Sequence, residues 1–337
     1  MLRCVALALA CASCRASLFA SLVETRDDDA PSDHREAAAT PEAPPSKRDV
    51  LAWRSRLERK RACVSSGVGA FYLYHARKAA GTSLRSALQH AAKRSRVDYL
   101  ETEGLSIDAR FLGLRSVITV VSLRDPVRRV LSMYWYEHVG WHDGVTHDHS
   151  KLRTLRSWAD EWVEGSAWKR EFEKKHPGNV YIEVENYFTK MLTGWNRDGR
   201  GEALDGASLA SAKAALDRFD FVFIVERGRR ANHTRLLWDA LGYELPLKSE
   251  LRGDESAKAR LRPKLAADEA DVVRFLEARN ALDAALYAYA LALDDDRVAA
   301  SAAPAPRTRG ERPPCEKPPL RQLKPKTGIF RPPGHKH

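Results

Sequence analysis

The sequence predicts an α/β domain of three layers, with a mostly parallel central sheet flanked by helices, and three observations lead to this fold class. Strand-like and helix-like segments alternate from about residue 70 to residue 293. The run SVITVVSL at Ser116–Leu123 is apolar and rich in β-branched residues, which is typical of a strand buried on both faces. Two strand-to-helix junctions, after His75 and after Leu123, place small, hydroxyl-bearing and cationic residues where a helix begins.

The elements of this domain are predicted from the spacing of the apolar residues. In chain order they are a helix at Asp49–Arg61, a strand at Ala70–His75, a helix at Thr82–Lys93, a short strand at Val97–Leu100, the central strand at Ser116–Leu123, helices at Pro126–Glu137, Leu152–Glu164 and Glu185–Leu192, a strand at Phe219–Val225, and helices at Asn232–Leu241 and Leu265–Leu293. Asp125 and Pro126 support the start of their helix, because an acid caps the first turn and proline suits its first position.

The remaining segments divide the chain into further parts. Residues 1–23 have a basic start and an apolar core ending in small residues, which indicates a secretory signal peptide. Arg15 interrupts that core; a membrane signal-anchor of about 20 residues and an organelle transit peptide are the alternatives. Residues 24–48, rich in Asp, Ala, Pro and Glu, are predicted to be a disordered stem. The folded domain is expected at 49–296, and a disordered, basic, proline-rich tail at 297–337.

The charge balance is strongly basic. The chain has 56 Lys and Arg residues against 45 Asp and Glu, a net charge of +11. Such a balance favours polyanionic partners, such as acidic polysaccharide, anionic membrane, nucleic acid or a phosphorylated cofactor. Nine Lys and Arg against two Asp and Glu place +7 of this charge beyond residue 300. Charge alone therefore does not choose among these partners.

The five cysteines are too few for a dense disulfide framework, and their spacing fits no zinc site. Three of them, Cys4, Cys11 and Cys14, fall in the N-terminal apolar stretch. Cys63 and Cys315 remain, and a bridge between these two is possible in an oxidising compartment.

The first chemistry-bearing motif is Tyr74-His-Ala-Arg-Lys-Ala-Ala-Gly-Thr-Ser-Leu84, which leaves a strand and opens a helix. Backbone N–H groups and the helix dipole converge on an anion at such a junction. The predicted ligands of that anion are Lys78, Ala80, Gly81, Thr82, Ser83 and Leu84. The domain is therefore P-loop-like, but the Lys precedes the Gly, whereas a nucleotide P-loop ends Gly-Lys-Ser/Thr, which disfavours a kinase or ATPase. For this motif alone, an ordinary capped helix after a strand is the alternative.

The second motif, VSLRDPVRRVLSMY at Val121–Tyr134, also runs from a strand into a helix. Arg124 follows the central strand at the edge where open α/β sheets bind ligands. Ser132 lies about two turns into the following helix. The two side chains can hold one phosphate from two sides, the Arg with bidentate geometry. A surface Arg–Asp pair with a small buried Ser is the alternative.

Together the two motifs resemble those of the PAPS-dependent sulfotransferases (PAPS is 3′-phosphoadenosine 5′-phosphosulfate), in particular the Golgi-type carbohydrate branch that includes heparan sulfate 2-O- and 6-O-sulfotransferases. The resemblance continues in order through Glu185–Leu192, Phe219–Val222, Glu226, Leu236–Gly242 and Asn280–Tyr287. It covers about residues 70–293, and this ordered series is more specific than any one motif. The departures are Arg77, where the family commonly has Pro, and Ala80, where Gly is frequent.

The resemblance implies that the chain is an enzyme that transfers a sulfuryl group from PAPS to a hydroxyl of a carbohydrate. It implies that Lys78–Ser83 hold the 5′-phosphosulfate, and that Arg124 and Ser132 hold the 3′-phosphate. Lys78 is also expected to stabilise charge on the leaving phosphate oxygen. The implied location is the Golgi lumen, reached with a cleaved signal or a type II anchor, where Asn232-His-Thr is a glycosylation sequon.

A general base must take the proton of the acceptor, and family members use a Glu or a His between the two phosphate motifs. Glu101 and Glu103 follow the short predicted strand, so they are expected at the carboxyl edge of the sheet and are the first candidates. His90, in the helix after the loop, is the second. A group of histidines after the second motif resembles metal ligands only loosely in spacing, and no metal is predicted. This group is His138, His142, His147 and His149.

Two other functions stay open beside carbohydrate sulfation. One is a tyrosylprotein or small-molecule sulfotransferase, and the other is a non-catalytic protein that binds polyanions through its basic tail and surface. No nucleic acid partner is expected. Tryptophans of the central helical region are candidates to line a sugar groove, although helix packing is the commoner role of such residues. They are Trp135, Trp141, Trp158, Trp162, Trp168 and Trp195.

Overall fold

Four parallel strands form the central sheet of the computed structural model. They are β1 (Ala70–His75), β2 (Asp98–Glu103), β3 (Val117–Leu123) and β4 (Phe221–Ile224). Their order in the sheet is β2-β1-β3-β4. All three pairings are parallel. In β1, Leu73 lies opposite Glu101 of β2, and Tyr74 lies opposite Val121 of β3. The predicted parallel sheet is thus confirmed.

The structure describes residues 47–103, 107–140, 153–175, 182–194, 203–228, 230–241, 270–302 and 315–318. Its helices are α1 (Lys47–Ser65), α2 (Gly81–Ser95), α3 (Pro126–Met133), α4 (Leu155–Trp162), α5 (Ala167–Lys175), α6 (Tyr187–Thr193), α7 (Gly206–Arg218), α8 (Ala231–Leu241), α9 (residues 270–279) and α10 (Ala281–Ala302). A π-helix at Tyr134–Gly140 continues α3. Within these ranges, none of the helices combines the length and the apolar character needed to span a bilayer. The predicted leader at 1–23, and the stem up to residue 46, lie outside the described residues.

Helices cover both faces of the sheet, because successive side chains of a strand point to opposite faces. Tyr72 and Tyr74 of β1 pack into an apolar cluster with α6, α7 and α10. Phe71 and Leu73, which alternate with them, pack into a second cluster with α1, α2 and α8. Every residue of β1 and of β3 is buried. The three-layer α/β architecture is therefore confirmed.

Two of the predicted helices are divided in the structure. The helix predicted at Pro126–Glu137 is α-helical only to Met133 and then becomes π-helical. The helix predicted at Leu265–Leu293 contains a turn at Asn280, whose side-chain amide donates hydrogen bonds to the carbonyls of Leu276 and Val184. The apolar spacing continues across both breaks and so does not predict them, because the breaks depend on contacts with distant segments.

Two helices, α5 and α7, were not predicted. α5 has the sequence AWKREFEKK, in which charged residues dominate and the apolar stripe is short. α7 is rich in Ala, but it begins with a capping box in which Asp205 and Ser208 satisfy each other's backbone N–H groups. That box is a recognisable helix-start signal, so α7 could have been predicted from the sequence.

The folded domain extends past residue 296, where the sequence had placed its end. α10 continues to Ala302. Farther along the chain, Cys315 forms a disulfide with Cys63 at the end of α1. Ser116, which precedes β3, donates a hydrogen bond of 2.7 Å to the carbonyl of Glu316. Residues 315–318 therefore lie against the domain and do not belong to a disordered tail.

Candidate functional site

The candidate site lies at the carboxyl edge of the sheet, between β1 and β3. β2 lies on one side of β1, and β3 and β4 lie on the other, so the strand order reverses between β1 and β3. Open α/β sheets bind ligands in the crevice outside the strands at such a reversal. The first motif follows β1 and the second follows β3, so the fold brings both to this edge of the sheet.

The loop after β1 has the backbone of an anion-binding turn. Lys78 and Ala80 both have left-handed φ angles, 63° and 60°. Turns that include such residues can direct successive N–H groups toward one point. Ala80 is the N-cap of α2, and its side chain makes no capping bond. The side chain of Ala80 therefore does not cap the first N–H groups of α2, and these groups lie at the positive end of the helix dipole.

The first turn of α2 contains four of the predicted anion ligands. A Cβ atom at Gly81 would overlap the imidazole of His75, so this turn requires glycine because of the close approach of that ring. Thr82 is exposed and Ser83 is half-buried, while Leu84 is buried in the core. Thr82 and Ser83 therefore present hydroxyl groups at the helix N-terminus. Leu84, predicted as an anion ligand, instead packs in the core, and its backbone N–H donates to the carbonyl of Ala80 at 3.1 Å.

Arg124 joins the two motifs. Its Nη1 donates a hydrogen bond of 3.2 Å to the main-chain carbonyl of Lys78. The ammonium of Lys78 lies 3.5 Å from the centroid of the Tyr136 ring, in the π-helix. Ser132, the other predicted ligand of the 3′-phosphate, is half-buried in α3, the helix between Arg124 and the π-helix. The structure thus places the side chain of Arg124 beside the main chain of Lys78.

Glu226, just after β4, supports Arg124 from the next strand. One carboxylate oxygen lies 3.7 Å from Nε of Arg124. The other accepts hydrogen bonds from the backbone N–H of Asp125, at 3.2 Å, and from the hydroxyl of Tyr287, at 2.9 Å. Burial lowers the pKa of the Arg124 guanidinium, and Glu226 opposes that effect. Glu226 therefore keeps a half-buried cation in place at the carboxyl edge of the sheet.

Arg77, where the resembled family commonly has Pro, is paired with acids of two other segments. Its guanidinium pairs with the buried carboxylate of Glu137 in the π-helix and lies 3.4 Å from a carboxylate oxygen of Glu103. Its backbone N–H donates to the hydroxyl of Tyr187. The positive charge of Arg77 is thus balanced by acids of the π-helix and of β2.

Glu101 is held by several donors. Arg85 contacts both of its oxygens at 2.6–2.9 Å, His75 Nδ1 lies 2.6 Å from one oxygen, and the Tyr99 hydroxyl donates to the other. Burial tends to raise the pKa of this carboxyl, but the hydrogen bonds from His75 and Arg85 outweigh burial and lower the pKa to about 2. Glu101 is thus a weak proton acceptor and a strong structural anchor.

Glu103 is the less constrained of the two acids. The sequence placed both acids after a strand ending at Leu100, but β2 continues to Glu103, because its last residues pair with β1 as far as His75. The carboxylate of Glu103 is 34% exposed. It contacts Arg77 at 3.4 Å and Arg85 at 3.1 Å. Glu103 is therefore at the carboxyl edge of the sheet, whereas Glu101 lies two residues inside β2, opposite Leu73.

His90 is not brought to this site. It is exposed on α2, nine residues after Gly81, which corresponds to about 13 Å along the helix axis at 1.5 Å per residue. The N-terminal turn of the same helix carries the anion ligands, so His90 lies too far along α2 to reach an acceptor bound there.

One group of residues has metal-like spacing. Ligand atoms of His75, Glu101 and Glu103 lie within 4.8 Å of one another. Nη2 of Arg85 lies 2.6 Å from Glu101, 2.8 Å from His75 Nδ1 and 3.1 Å from Glu103. The guanidinium therefore takes the position among these atoms that a metal ion would need.

Comparisons of the chain with protein-family models, with curated proteins and with solved structures find no match. Function is therefore inferred from the chemistry of the site itself. That chemistry is a helix N-terminus, the ammonium of Lys78 and the guanidinium of Arg124, all beside one strand-order reversal.

The two downstream motifs have a structural role, since they bind each other. The side-chain carbonyl of Asn186 accepts from the backbone N–H groups of Leu282 and Asp283. In return, Asp283 accepts from the backbone N–H groups of Phe188 and Thr189, each at 2.8 Å. Each motif therefore donates to the helix of the other, α6 or α10, and the two helices share one apolar cluster on the sheet.

The tryptophans and histidines of the central region have mixed positions. Trp158 and Trp162 are buried, whereas Trp168 is 47% exposed and lines an open cavity of about 540 Å³ beside α4 and α5. His138 is buried, and its Nε2 accepts from the backbone N–H of Arg153. Trp135 is half-buried. The other predicted residues of these two groups lie outside the described part of the chain: Trp141, Trp195, His142, His147 and His149.

Sequence reasoning missed Tyr136 and Glu137 as members of the site. Both belong to the π-helix, which no apolar spacing predicts. A weak signal exists, because an acid and an aromatic residue follow the second motif in a segment predicted to be helical. The partners of these two residues, Lys78 and Arg77, are also adjacent in sequence.

Proposed function

We propose that this protein is a PAPS-dependent sulfotransferase with a P-loop-like phosphosulfate loop, which transfers a sulfuryl group to a hydroxyl of a carbohydrate acceptor. The observation that carries the proposal is the hydrogen bond between Arg124 and the carbonyl of Lys78. It joins the two phosphate motifs at the strand-order reversal, where a ligand with two separate phosphate groups would meet both.

In this proposal the 5′-phosphosulfate lies at the N-terminus of α2. Backbone N–H groups from Ala80 to Ser83, and the hydroxyls of Thr82 and Ser83, donate to it. Arg124 and Ser132 bind the 3′-phosphate, and Glu226 orients Arg124 for that contact. ATP carries phosphates only at its 5′ position, so it would contact the N-terminus of α2 but not Arg124 and Ser132. The 3′-phosphate is therefore the group by which this site would distinguish PAPS from ATP.

The reaction proceeds by in-line displacement. The acceptor oxygen attacks the sulfur atom, the bond from sulfur to the bridging 5′-phosphate oxygen breaks, and the acceptor proton passes to a general base. Lys78 stabilises the negative charge that develops on the leaving phosphate oxygen. Glu103 is the proposed base, since its carboxylate is partly exposed at the end of β2, whereas Glu101 is held by Arg85 and His75.

Two further features support the class of acceptor and the location. Trp168 presents an exposed indole at the open cavity beside α4 and α5, and sugar rings stack on such surfaces through their C–H faces. The Cys63–Cys315 disulfide suits an oxidising compartment, which supports a secretory route and the Golgi lumen. Residues 1–23 would supply the signal or the membrane anchor.

Calorimetric titration of the full chain tests the cofactor. We expect 3′-phosphoadenosine 5′-phosphate to bind, and adenosine 5′-monophosphate and ATP to bind at least about tenfold more weakly, because neither engages Arg124 as a 3′-phosphate does. Arg124→Ala should weaken the first ligand by about 10- to 100-fold, the loss expected for a charge-assisted hydrogen bond. Arg128→Ala, an exposed cation of the same helix, is the control. A preference for ATP would overturn the proposal.

Transfer itself is tested with radiolabelled PAPS and a set of glycan, tyrosyl-peptide and phenolic acceptors. Lys78→Ala should abolish transfer while leaving retention on a polyanion column unchanged, since +7 of the charge lies beyond residue 300. If Lys78→Ala and the native protein are equally inactive on every acceptor although 3′-phosphoadenosine 5′-phosphate binds, the protein is a non-catalytic member of this class. Transfer to tyrosyl peptides alone would correct the acceptor.

A further inference from the structure

An exposed tryptophan lines the open cavity beside α4 and α5. In the part of the chain that the structure describes, Trp168 is one of two large apolar side chains that are exposed, with 47% of its surface accessible. The cavity has a volume of about 540 Å³, and ligand pockets commonly have volumes of roughly 300–1,000 Å³. An accessible indole beside a space of this size indicates a binding surface, since tryptophan is enriched where proteins bind other molecules.

The indole of Trp168 is held by its neighbours, so it offers a fixed surface. The centroid of the buried Trp162 ring lies 6.4 Å from that of Trp168, with an interplanar angle of 82°. The guanidinium carbon of Arg153 lies 5.5 Å from the Trp168 centroid. Ser166 precedes α5, and its hydroxyl oxygen accepts from the backbone N–H of Lys169 at 3.0 Å. A ligand that stacks on this indole therefore has little side-chain ordering to offset.

The charged side chains around the cavity are paired with one another. Three of them line it, namely Arg156, Asp160 and Glu161. Arg156 lies 3.0 Å from Asp160, one turn along α4, and Glu161 pairs with Arg153. These two ion pairs balance the formal charges. An acidic sugar would therefore meet no uncompensated cation among these side chains, whereas a neutral one needs only hydrogen-bond partners.

The polar groups of the cavity suit a ligand with several hydroxyls. The carboxylate oxygens of Asp160 and Glu161 accept hydrogen bonds, and the guanidinium of Arg156 donates them. The exposed hydroxyl of Ser157 can do both. A pyranose ring complements this arrangement, because hydroxyls surround its edge while its C–H groups form an apolar face that packs on an indole. A purely apolar ligand would use the indole but none of the polar groups.

The π-helix connects this cavity to the first phosphate motif. The hydroxyl of Tyr134 donates to the carbonyl of Arg153 at 2.7 Å, and Nε2 of His138 accepts from the backbone N–H of Arg153 at 2.9 Å. Arg153 precedes the N-cap of α4. In the same π-helix, Glu137 pairs with Arg77 of the first motif. One segment thus contacts both the loop after β1 and the start of the helix that lines the cavity.

We propose that the cavity beside α4 and α5 binds one neutral pyranose residue, with Trp168 as the stacking surface and Asp160 and Ser157 as hydrogen-bond partners. None of the residues that line it belongs to the two phosphate motifs, so the bound sugar is a part of the acceptor that is not itself sulfated. The inference deepens the proposed function. The sugar's place in an acceptor rests on that function, whereas the binding itself does not.

Titration with neutral glycans tests the binding without any nucleotide. The probes are hexasaccharides of glucose, of galactose and of mannose, added to the full chain labelled with ¹⁵N at tryptophan. At least one should shift the indole N–H signal of Trp168, with a dissociation constant on the order of 1 mM or lower. Trp168→Phe identifies that signal by removing it. If none of the three shifts the signal at about 10 mM, the proposal is overturned.

A sulfated hexasaccharide tests the charge argument. Because the ion pairs leave no unbalanced cation among the lining side chains, it should shift the Trp168 signal less than the best neutral glycan, even if it binds elsewhere on the basic surface. A Trp168 signal that responds to the sulfated glycan alone would contradict the neutral assignment.

Variants test which side chains bind the glycan. By calorimetry, Trp168→Ala should weaken the best neutral glycan at least about tenfold, as truncation of a central aromatic residue commonly does. Asp160→Asn should weaken it about threefold, because a hydrogen bond to a charged group is lost. The matched control is Leu51→Ala, the other exposed apolar side chain, 49% accessible on α1, which should change nothing. Unchanged affinity in Trp168→Ala would refute the site. If Trp168→Ala failed to fold, Asp160→Asn, at an exposed position, would decide the question.

Kinetics decide whether the bound sugar belongs to the acceptor. For acceptor glycans long enough to reach the cavity, Trp168→Ala should raise KM about tenfold and leave kcat unchanged, because the lost contact is the same before and during transfer. For a monosaccharide acceptor, it should change neither. An unchanged KM for every acceptor would separate the cavity from the acceptor. If the protein bound neutral glycans but neither bound 3′-phosphoadenosine 5′-phosphate nor transferred sulfuryl groups, the proposed function would fail while the sugar site remained.

Discussion

The imidazole of His75 lies directly against the Cα atom of Gly81. His75 ends β1, and Gly81 begins α2, so the five residues between them form the anion-binding turn. A Cβ atom at position 81 would overlap Cδ2 and Nε2 of the imidazole. The ring is fixed in turn by Glu101, 2.6 Å from its Nδ1. The close contact thus fixes the distance between the end of β1 and the start of α2.

Gly81→Ala should move the loop and weaken both stability and ligand binding. Overpacking of this kind costs about 1–3 kcal/mol, which lowers the melting temperature by about 2–4 °C per kcal/mol in a domain of this size. Binding of 3′-phosphoadenosine 5′-phosphate should fall with it. Thermal unfolding and calorimetry measure the two effects.

The matched control for that substitution is Gly113→Ala, where an added Cβ would meet nothing within 4 Å. It should leave both the melting temperature and the affinity unchanged. If Gly81→Ala behaved like Gly113→Ala, the imidazole could move aside without cost, and the close contact would not shape the loop.

The ion cluster around Glu101 should make part of the stability depend on pH. The pKa of Glu101 is lowered to about 2 in the folded protein, below its ordinary value near 4.5. Its contribution is therefore fully present above the ordinary value and is lost as the pH falls toward the folded one. The difference in unfolding free energy between the native protein and Glu101→Gln should be large at neutral pH and smaller near about pH 3.

Urea unfolding at the two pH values measures this difference. The contributions of other titrating groups to the unfolding free energy largely cancel between the native protein and the variant. Glu277→Gln, at an exposed position of α9, serves as the control and should give a small difference at both pH values. If Glu101→Gln changed the unfolding free energy by the same amount at both pH values, Arg85 and His75 would not favour the charged form of Glu101.

The Cys63–Cys315 disulfide should contribute to stability. It joins residues 252 positions apart in sequence, and disulfides commonly stabilise by about 2–5 kcal/mol. Reduction should lower the unfolding free energy accordingly. Cys315→Ser should match the reduced native protein whether or not a reductant is present. Peptide mapping without reduction, on protein made in an oxidising compartment, should recover the linked pair, and two free thiols there would contradict the bond.

Local patterns predicted the elements that carry the site. β1 was predicted with its observed bounds, and the start of α2 within one residue. The positions of Lys78 and Arg124 after their strands were predicted as well. These features depend on apolar spacing, on glycine and on helix-start residues, which are all signals from residues close together in sequence.

The candidate bases show where such reasoning stops. Glu101 and Glu103 have the same residue type, two positions apart on one strand, and the sequence offers no way to rank them. The fold distinguishes them, because Arg85 and His75 reach Glu101 from α2 and β1, whereas Glu103 ends β2 with a third of its carboxylate exposed.

The sequence by itself determined the α/β class, the parallel sheet and the two strand-to-helix junctions with their cations. Only the tertiary structure decided which charged groups meet. Arg77 pairs with Glu137 across 60 positions, and Arg124 reaches the carbonyl of Lys78 across 46. The reason is physical: local conformation follows from neighbouring residues, whereas the pairing of charges follows from the order of strands in the sheet, which sets distant segments side by side.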